Sequence, residues 1–498
     1  MYPSFETIKE LAASGMYKRI PVCRELYADR YTPVELVRVL RRASRHCYLL
    51  ESASQTENWG RYSFLGYQPS MEVTCTDGHV TVRNNIKDEA KITEIQVKHP
   101  GEVLRGILAD HKSPVLEGMP SFTGGLVGYF SYDYIKYSEP KLKLKDHENT
   151  EFRDLDLMLF NDVIAFDHFR QKIYVITGVM LKEGQSMEES CAEAENKLAE
   201  IVELIRSGSK KEFQPLKLES PLKTQFSKEH YCEMVEKAKH YIREGDIFQV
   251  VLSNPMRAKA SGNLLDTYRV LRATNPSPYM FYFSSDDIEF TGASPETLVK
   301  MENGHLSTFP LAGTRPRGKT REEDLQLEKD LLSDEKERSE HNMLVDLGRN
   351  DMGKVSRIGT VKVDKYMEIE RYSHVMHIGS TVTGIIRDDK DAVDALDAIL
   401  PAGTLSGAPK FRACEIIEEL EQSKRGLYGG AIGYLDFAGN LDTCIAIRLV
   451  YKKSGSICIR SGAGIVADSV PEKEFQECVN KARAVVNAIE IAEEGLDV

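Results

Sequence analysis

The hydrophobic pattern changes in character partway along the chain. Residues 1–205 carry short apolar and β-branched runs between polar turns, which predict strands at 47–50, 80–82, 163–166 and 173–176. Beyond residue 226, helical patterns are interspersed with predicted strands at 247–252, 279–284, 430–436, 443–451 and 456–460. This mixture favours an α+β fold with antiparallel sheets over a βαβ nucleotide-binding fold.

The clearest helical pattern begins at Ser227, a residue type that caps helices well. Apolar residues then recur every three or four positions, at Tyr231, Met234, Val235, Ala238, Tyr241 and Ile242. Gly245 and Asp246 are predicted to end the helix and turn into the strand at 247–252.

Polar and helix-breaking residues at 206–226 predict a connector between two domains, at 1–205 and 227–492. Within the first domain, the charged stretch from Glu139 to Glu151 predicts a mobile loop. The first domain is expected to be rich in strands, and the second to mix strands and helices.

Two predicted helices far apart in the chain each carry a pair of glutamates three residues apart. Glu337 and Glu340 share one helix face, and Glu474 and Glu477 share another. Four carboxylates brought together suit a hard divalent cation and an anionic substrate. The alternative is two solvated acidic faces, because glutamate is common on helix surfaces.

The second of these helices is predicted to start with a capping box from Ser469 to Glu472, with Pro471 in its first turn. It follows a predicted strand and a tight glycine-rich turn within 457–464. The turn is expected to face the glutamates.

Composition narrows the classes of function. The net charge of −12 argues against general nucleic-acid binding, and it means that a dianionic substrate would need local cations. Apolar runs do not reach the roughly 18 residues of a membrane span, and the N-terminus lacks a signal-peptide pattern. The nine cysteines form no CxxC pair, which favours reduced thiols and a cytoplasmic location.

Several common site motifs are absent from the sequence. It contains no phosphate loop of the GxxxxGK[ST] type, no HExxH zinc motif and no GxSxG nucleophile elbow. A Gly-x-Cys-x-Gly elbow is also missing, so the sequence shows no glutaminase nucleophile of that kind.

Eight segments resemble, in order, those of the chorismate-utilising enzymes, and among these the large subunits (component I) of anthranilate synthases. They lie at 292–296, 310–314, 337–341, 346–351, 372–377, 401–410, 428–430 and 460–464. The resemblance spans nearly the whole chain and is strongest from 227 to 492. It implies large mixed and antiparallel sheets with flanking helices, a regulatory domain at 1–205 and a chorismate-binding catalytic domain at 227–492.

The resemblance also implies a reaction. Ammonia adds at C2 of chorismate while the C4 hydroxyl leaves, and elimination of pyruvate then gives anthranilate, in the first committed step of tryptophan biosynthesis. Because hydroxide is a poor leaving group, a placed acid should contribute about 10²–10⁴-fold to the rate. Glu296 matches the family's acid, and its pKa would have to be raised. The alternative is a surface glutamate at a strand end.

Two further positions match catalytic residues of the family. His377 matches a histidine tied to pyruvate elimination, where imidazole can move a proton. His374 is expected to be structural, and the Thr404 hydroxyl is expected to contact the substrate.

The family's Mg²⁺ ligands match Glu340 and Glu477, with Glu337 and Glu474 acting through water. The substrate-contact positions that the resemblance implies are Gly313, Thr314, Tyr428, Arg448, Gly462, Ala463, Gly464 and Lys481. Arg448 is expected on a strand, where it would offer a bidentate fork to the enolpyruvyl carboxylate. Taken alone, such an arginine is more often a surface cation.

Two positions separate the nearest relatives. Gln249 replaces the lysine of water-using isochorismate and salicylate synthases, and Ala312 replaces a lysine found in many aminodeoxychorismate synthases. Both favour anthranilate over the alternatives, which are aminodeoxychorismate synthase component I and isochorismate synthase. A catalytically inactive, tryptophan-sensing scaffold is the remaining alternative, and the intact Glu296, Glu340, His377 and Glu477 argue against it.

The resemblance implies two partners besides chorismate and ammonia. One is a glutamine amidotransferase subunit that supplies ammonia, because the chain lacks a glutaminase motif. The other is L-tryptophan as a feedback inhibitor, bound between the domains by Ser52 and by Pro278, Tyr279 and Met280. An ordinary buried strand with a terminal serine is the alternative at Ser52.

Overall fold

Two large β-sheets organise the part of the chain that the computed structural model describes, residues 1–52, 60–86, 91–144, 152–371 and 375–496. His374 and the second half of the predicted loop at 139–151 lie outside these residues. The α+β fold with large antiparallel sheets predicted from the sequence is confirmed.

The helices cover the outer faces of the sheets. They are α1 Phe5–Ala13, α2 Pro33–Ala43, α3 Gly101–Ala109, α4 Ile135–Ser138, α5 Met187–Ser207, α6 Lys228–Arg243, α7 Leu265–Thr274, α8 Arg321–Ser333, α9 Glu335–Gly353, α10 Ala392–Ile399, α11 Lys410–Glu421 and α12 Pro471–Glu494. Two 3₁₀ turns, η1 and η2, lie at Tyr132–Tyr134 and Gly403–Leu405.

The strands follow one another in chain order as β1 Arg19–Tyr27, β2 Cys47–Glu51, β3 Tyr62–Tyr67, β4 Met71–Thr76, β5 His79–Asn84, β6 Lys91–Gln96, β7 Gly125–Phe130, β8 Leu155–Phe160, β9 Val163–Asp167, β10 Lys172–Met180, β11 Lys217–Leu218, β12 Lys223–Thr224 and β13 Gln249–Ser261. The remaining strands are β14 Tyr279–Ser284, β15 Ile288–Ser294, β16 Thr297–Glu302, β17 His305–Thr308, β18 Leu311–Pro316, β19 Lys362–Arg371, β20 Val375–Ile385, β21 Gly407–Ala408, β22 Ala431–Asp436, β23 Leu441–Ile445, β24 Leu449–Lys453 and β25 Ser456–Ile465.

Both sheets draw strands from both sides of the connector. The first has the order β1-β10-β9-β3-β2-β14-β15-β24-β25-β13-β11, with β12 and β21 also on β13. The second has the order β18-β20-β17-β16-β23-β22-β7-β8-β4-β5-β6, with β19 on β20. The chain halves meet where β2 pairs with β14 and where β7 pairs with β22.

The inner faces of the two sheets share an aromatic core. Tyr48, Phe160, Phe281 and Phe290 are buried there with residues of β7 and β22. On the outer faces, one core lies under α2, α5, α7 and α12, and another lies under α3, α9 and α10. The result is a layered helix–sheet–sheet–helix sandwich, in which each sheet buries apolar side chains on both faces.

The connector at 206–226 does not separate the sheets. Its short strands β11 and β12 both pair with β13 of the first sheet. The domain boundaries at 205 and 227 therefore remain a prediction about the chain rather than a division between sheets.

Most of the predicted elements are present. Ser227 caps α6 through a hydrogen bond from the His230 N–H, and the four apolar positions from Tyr231 to Ala238 are buried. The strands predicted at 47–50, 163–166 and 279–284 match β2, β9 and β14.

Three local predictions were wrong. The strand expected at 443–451 breaks between β23 and β24, where Arg448 has a left-handed φ of 53°. The glycine-rich segment at 462–464 is the end of strand β25 and not a turn. The capping box at Ser469 is absent. Val470 occupies the N-cap position of α12 without a side-chain hydrogen bond, and the Ser469 hydroxyl accepts from the Val466 N–H.

Candidate active site

One cavity of about 290 Å³ gathers nearly all of the predicted catalytic and substrate-contact residues. It lies beside the ends of β13 and β25, between α9, α12 and η2. The predicted residues that line it are Gln249, Glu296, Gly313, Thr314, Glu340, His377, Thr404, Tyr428, Arg448, Gly462, Gly464, Glu474, Glu477 and Lys481. Ala463 and Glu337 are the two predicted residues of this set that do not line it.

Glu296 lies between β15 and β16, at the wall of this cavity. Burial raises the pKa of its carboxyl group to about 8, although a hydrogen bond from Thr404 and the charge of Lys481 both lower it. The Thr404 hydroxyl donates to Glu296 Oε1 over 3.1 Å. Because Oε1 accepts this bond, Oε2 is the oxygen that can carry and deliver a proton.

His377 on β20 is held by the backbone of β18. Its Nδ1 lies 2.8 Å from the Gly313 carbonyl oxygen and 3.1 Å from the Thr314 hydroxyl. A carbonyl only accepts, so Nδ1 carries the proton and Nε2 is the basic nitrogen of the neutral ring. Burial lowers the pKa of His377, and the nearby charge of Arg448 lowers it further, which keeps the ring neutral near pH 7.

Gly313 shows why this wall needs a glycine. Its φ of 67° is left-handed, and a Cβ there would lie 3.0 Å from Leu331 Cδ1 and 3.1 Å from Glu337 Oε2. Any side chain would crowd both the helix and the glutamate, so glycine lets the backbone approach closely.

Arg448 is an unsatisfied cation at the cavity wall. In the part of the chain that the structure describes, its guanidinium has no hydrogen-bond or ion-pair partner. Burial lowers its pKa, while the neighbouring Tyr428 and Glu477 raise it. A guanidinium that is partly withdrawn from water and unpaired is costly, so this one is suited to bind a ligand carboxylate through its bidentate fork.

The end of β25 offers backbone donors at its free edge. Val251 and Ser253 of β13 donate their N–H groups away from β25. Their partners in register, Gly464 and Gly462, must also point away from β13, because backbone groups alternate along an antiparallel ladder. The Ala463 N–H is used within the ladder, so the predicted backbone cradle reduces to two glycines.

Gly462 is also required for space. A Cβ on it would lie 2.6 Å from the Leu252 carbonyl oxygen and 2.8 Å from the Tyr428 hydroxyl. The Lys481 ammonium donates to the Gly462 carbonyl over 3.2 Å and pairs with Glu477 Oε1 at 2.7 Å. These contacts tie α12 to the strand end.

The predicted glutamate pairs face each other from α9 and α12. Desolvation raises the pKa of Glu340, and the charges of Glu337 and Glu477 raise it further. Desolvation and Glu477 likewise raise the pKa of Glu474. The two helices therefore hold their carboxylates close enough to repel one another.

This repulsion bears on whether a metal ion fits. Groups of three or more side chains arranged as metal ligands do not occur in the described ranges. Glu340 has no hydrogen-bond or ion-pair partner there, and it lies near Glu477. Two carboxylates completed by water and substrate oxygens are a usual site for Mg²⁺, so the residues fit this ion. Glu477 would have to be shared with Lys481.

Gln249 is almost fully buried at the start of β13, and its side-chain oxygen lacks a hydrogen-bond partner in the described part of the chain. Its amide nitrogen lies against Gly464, where an added Cβ would approach to 2.5 Å. An amide here cannot act as a base.

Sequence reasoning missed a buried ion-pair network directly behind the cavity. Glu421 pairs with Arg425 at 2.5 Å and with Arg460 at 2.7 Å. Arg425 also donates to the Leu405 and Val251 carbonyls, over 2.6 and 2.7 Å. This network links η2, β13 and β25. Glu421 and Arg425 are only four residues apart, but Arg460 joins them from a strand 39 residues further along the chain, and that contact depends on the tertiary structure.

Lys336 on α9 was also missed, although it lines the cavity beside the glutamates. Because Lys336 directly precedes Glu337 in the sequence, a cation close to the predicted glutamates could have been expected. Its positive charge lowers the pKa of both Glu340 and Glu474, which opposes their mutual repulsion.

A second and larger cavity, of about 890 Å³, contains all of the predicted inhibitor-contact residues. Ser52, Pro278, Tyr279 and Met280 line it where β2 pairs with β14. Glu51, on the same wall, accepts hydrogen bonds from Ser63, Tyr268 and Arg272. Its charge is therefore neutralised within the protein.

None of the helices among the described residues has the length and apolar character needed to cross a membrane. All nine cysteines lie in the described ranges, and each is a free thiol.

A family model described as chorismate binding enzyme matches residues 45–487. Anthranilate synthase component 1 from Acetivibrio thermocellus is 46% identical over 500 residues, which cover 99% of each chain. Its namesake from Aquifex aeolicus is 44% identical over 99% of this chain and 98% of its own.

Solved structures agree. Anthranilate synthase component I from Streptococcus pneumoniae superposes with a TM-score of 0.74 and 39% identity, covering 85% of this chain and 92% of its own. The menaquinone-specific isochorismate synthase from Escherichia coli has a TM-score of 0.68 at 19% identity, over 98% and 100% of the two chains. At that identity, the likeness bears on the fold alone.

Proposed function

The chain belongs to the chorismate-binding enzyme family, and from this premise we propose that it converts chorismate and ammonia into anthranilate. The observation that carries the proposal is the pairing, in one cavity, of a carboxyl group held protonated with an unpaired guanidinium. Chorismate carries both a hydroxyl that must be protonated to leave and carboxylates that must be neutralised.

In the first step, Glu296 acts as the acid. Its pKa of about 8 keeps the carboxyl group protonated at neutral pH, when an ordinary glutamate would be ionised. The nitrogen of ammonia bonds to C2, the C4–O bond breaks, and the Glu296 proton goes to the leaving oxygen, which departs as water. Thr404 orients the carboxyl group by donating to Oε1.

In the second step, His377 acts on the aminated intermediate. Its Nε2 is the basic nitrogen, because Nδ1 faces the Gly313 carbonyl. The imidazole takes the proton from C2 as the C3–O bond breaks, and the imidazolium then gives up a proton, directly or through water, to the methylene carbon of the departing enolpyruvyl group, which becomes pyruvate. The ring becomes aromatic, which drives the elimination.

Cationic side chains and backbone N–H donors of the cavity bind the substrate. Arg448 binds the enolpyruvyl carboxylate, with the Gly462 and Gly464 N–H groups beside it. Tyr428, Gly313 and Thr314 complete the contacts, and Lys481 contributes charge. The net charge of −12 on the whole chain makes these local cations necessary.

Mg²⁺ is the proposed cofactor. Glu340 and Glu477 would hold it, with Glu337 and Glu474 acting through water, and when bound it supplies Lewis-acid polarisation at the ring carboxylate. Lys336 and Lys481 balance the carboxylates around it.

For each of the two nearest alternative reactions, this chain lacks a residue that the reaction needs in related enzymes. Isochorismate formation needs a base to activate water, and Gln249 cannot accept a proton. Aminodeoxychorismate formation in many relatives uses a lysine where this chain has Ala312. The full-length relatives named anthranilate synthase component 1 also support the anthranilate reaction over these two.

Ammonia and regulation involve two further proposals. A glutamine amidotransferase subunit supplies ammonia, since the sequence contains no glutaminase elbow. L-tryptophan binds in the second cavity, with Ser52 as a hydrogen-bonding group and Met280 packed on the indole. A cytoplasmic location fits the nine free thiols.

The experiment follows anthranilate fluorescence from the purified chain with chorismate, Mg²⁺ and an ammonium salt at alkaline pH, with and without tryptophan. The expected result is a fluorescence rise that requires Mg²⁺ and falls with tryptophan. Consumption of chorismate to another product would contradict the reaction, whereas a rise indifferent to tryptophan would remove the inhibitor site alone.

A further inference from the structure

The two cavities share a wall built from neighbouring strands. Tyr279 of β14, which lines the second cavity, lies opposite Ser294 of β15 in the antiparallel ladder. Two residues after Ser294, the chain reaches Glu296, at the wall of the active-site cavity. A displacement of β14 is therefore applied directly to the segment that carries the acid.

A chain of side-chain hydrogen bonds crosses the same wall. The Thr297 hydroxyl donates to the Tyr279 hydroxyl over 3.0 Å, and the Tyr279 hydroxyl donates to Asp442 Oδ1 over 2.9 Å. The chain ends on a carboxylate, which only accepts, so the direction of each donor is defined. Tyr279 and Asp442 both line the second cavity, and Thr297 is buried directly after Glu296.

The main chain of Glu296 is held on both sides of this point. Its carbonyl oxygen accepts from the Ile445 N–H over 3.0 Å, and its N–H donates to the Ser294 hydroxyl over 3.4 Å. The Ser294 hydroxyl donates to the Ile445 carbonyl over 2.7 Å. With the backbone held in this way, the Thr297 side chain provides a direct hydrogen-bonded contact between the second cavity and the segment that carries the acid.

We propose that Thr297 is a positioning residue for Glu296, and that the Thr297–Tyr279–Asp442 chain couples ligand binding in the second cavity to the acid. This inference rests on the roles proposed above for Glu296 and for the second cavity. A ligand that draws the Tyr279 hydroxyl or Asp442 into its own contacts removes the acceptor of Thr297. The start of β16 then relaxes, and a misplacement of about 1 Å at a reacting group can cost about 10²-fold in rate.

The coupling is reciprocal by thermodynamic necessity. If tryptophan weakens the binding of chorismate through this chain, bound chorismate must weaken the binding of tryptophan by the same factor. Loss of the Thr297 hydroxyl should reduce this coupling and leave both binding sites in place, because Thr297 lines neither cavity.

The test compares Thr297→Val with Thr291→Val. Valine keeps the shape of threonine and removes the hydroxyl. Thr291 is a matched control, since it is buried on β15, donates to the Phe281 carbonyl over 3.0 Å and lines neither cavity. Calorimetry gives the Kd of tryptophan with and without chorismate and Mg²⁺, in the absence of ammonia, and the ratio of the two is the coupling factor.

We expect Thr297→Val to bring the coupling factor at least fivefold closer to one, with the Kd of tryptophan alone changed by less than twofold. Thr291→Val should keep the wild-type ratio. If Thr297→Val keeps the coupling factor of the wild type, the proposed coupling is overturned. It is also overturned if the coupling factor falls equally in Thr297→Val and Thr291→Val.

A second measurement separates this inference from the proposals beneath it. In ammonium-dependent turnover without tryptophan, Thr297→Val should lose about tenfold in kcat with an unchanged KM for chorismate, while Thr291→Val should not. Equal kcat values in the two variants would overturn the positioning role. If the wild-type protein forms anthranilate but does not bind tryptophan, the coupling is overturned. The comparison of kcat values would then decide the positioning role of Thr297 on its own.

Discussion

The two cavities differ in how their charged groups are satisfied. In the active-site cavity, the side chains of Arg448 and Glu340 have no hydrogen-bond or ion-pair partner among the described residues. In the second cavity, Glu51 accepts from Ser63, Tyr268 and Arg272. Unsatisfied charge is costly to bury, so it persists where a ligand completes it. We therefore expect catalysis in the smaller cavity, where Arg448 and Glu340 await a ligand.

The largest effect that would test this difference is at Glu296. Glu296→Gln keeps the shape and removes the proton donor, so kcat should fall by about 10³-fold, within the usual range for general acids. Anthranilate fluorescence at saturating chorismate measures it, with Glu302→Gln, at the end of the following strand β16, as the control. A loss below tenfold would show that this carboxyl group is not the acid.

The raised pKa of Glu296 also predicts a pH effect on stability. Between about pH 4.5 and 8 the folded state binds more protons at this group than the unfolded state, so the free energy of unfolding falls as pH rises. The loss is on the order of 3 kcal/mol, less than the full shift implies because the group borders a cavity. Urea unfolding of wild type and Glu296→Gln across this range measures it, and parallel curves would contradict it.

The next effect concerns the unsatisfied guanidinium. Arg448→Lys keeps the charge and loses the planar fork, so kcat/KM for chorismate should fall by about 10²-fold, mainly through KM. Steady-state kinetics at fixed free ammonia measures the change. Arg349→Lys, an exposed arginine on α9, should show no such loss. An unchanged KM would mean that Arg448 does not bind the substrate.

Glu340 should have a smaller effect, through the metal. Glu340→Gln removes one of the two proposed ligands, and we expect the Mg²⁺ concentration for half-maximal rate to rise about tenfold, as is usual when a metal site loses a supporting group. Calorimetric Mg²⁺ binding gives a readout independent of turnover. Glu335→Gln, at the exposed start of the same helix, is the control. Chelation with EDTA should abolish activity in all variants.

The smallest effect is expected in the second cavity. Ser52→Ala should weaken tryptophan inhibition by about tenfold, the value of roughly one hydrogen bond at 1.4 kcal/mol. The half-inhibitory concentration, taken relative to each variant's own uninhibited rate, measures it. Ser44→Ala, three residues before the start of β2, should be inhibited by tryptophan as strongly as the wild type. Equal inhibition of the Ser52→Ala and Ser44→Ala variants would show that Ser52 does not bind tryptophan.

Sequence and structure agree best where a property is local. The glutamate pairs on α9 and α12 follow from spacing along a helix, and the Ser227 cap follows from residue type. They disagree at Arg448, where a β-rich sequence around 443–451 concealed a left-handed residue between β23 and β24. A single backbone dihedral there aims the side chain, and composition does not specify it.

By itself, the sequence determined the family, the α+β class and most of the residues that line the candidate active site, because ordered motifs and helical spacing are carried within short segments. The tertiary structure alone decided how those segments meet. It raised the pKa of Glu296 by burial, left Arg448 unpaired, used the Ala463 N–H in a ladder and formed the Arg425–Glu421–Arg460 network. It also joined both halves of the chain in common sheets and connected Tyr279 to Thr297. Desolvation and hydrogen bonding between distant residues depend on packing, which no local pattern contains.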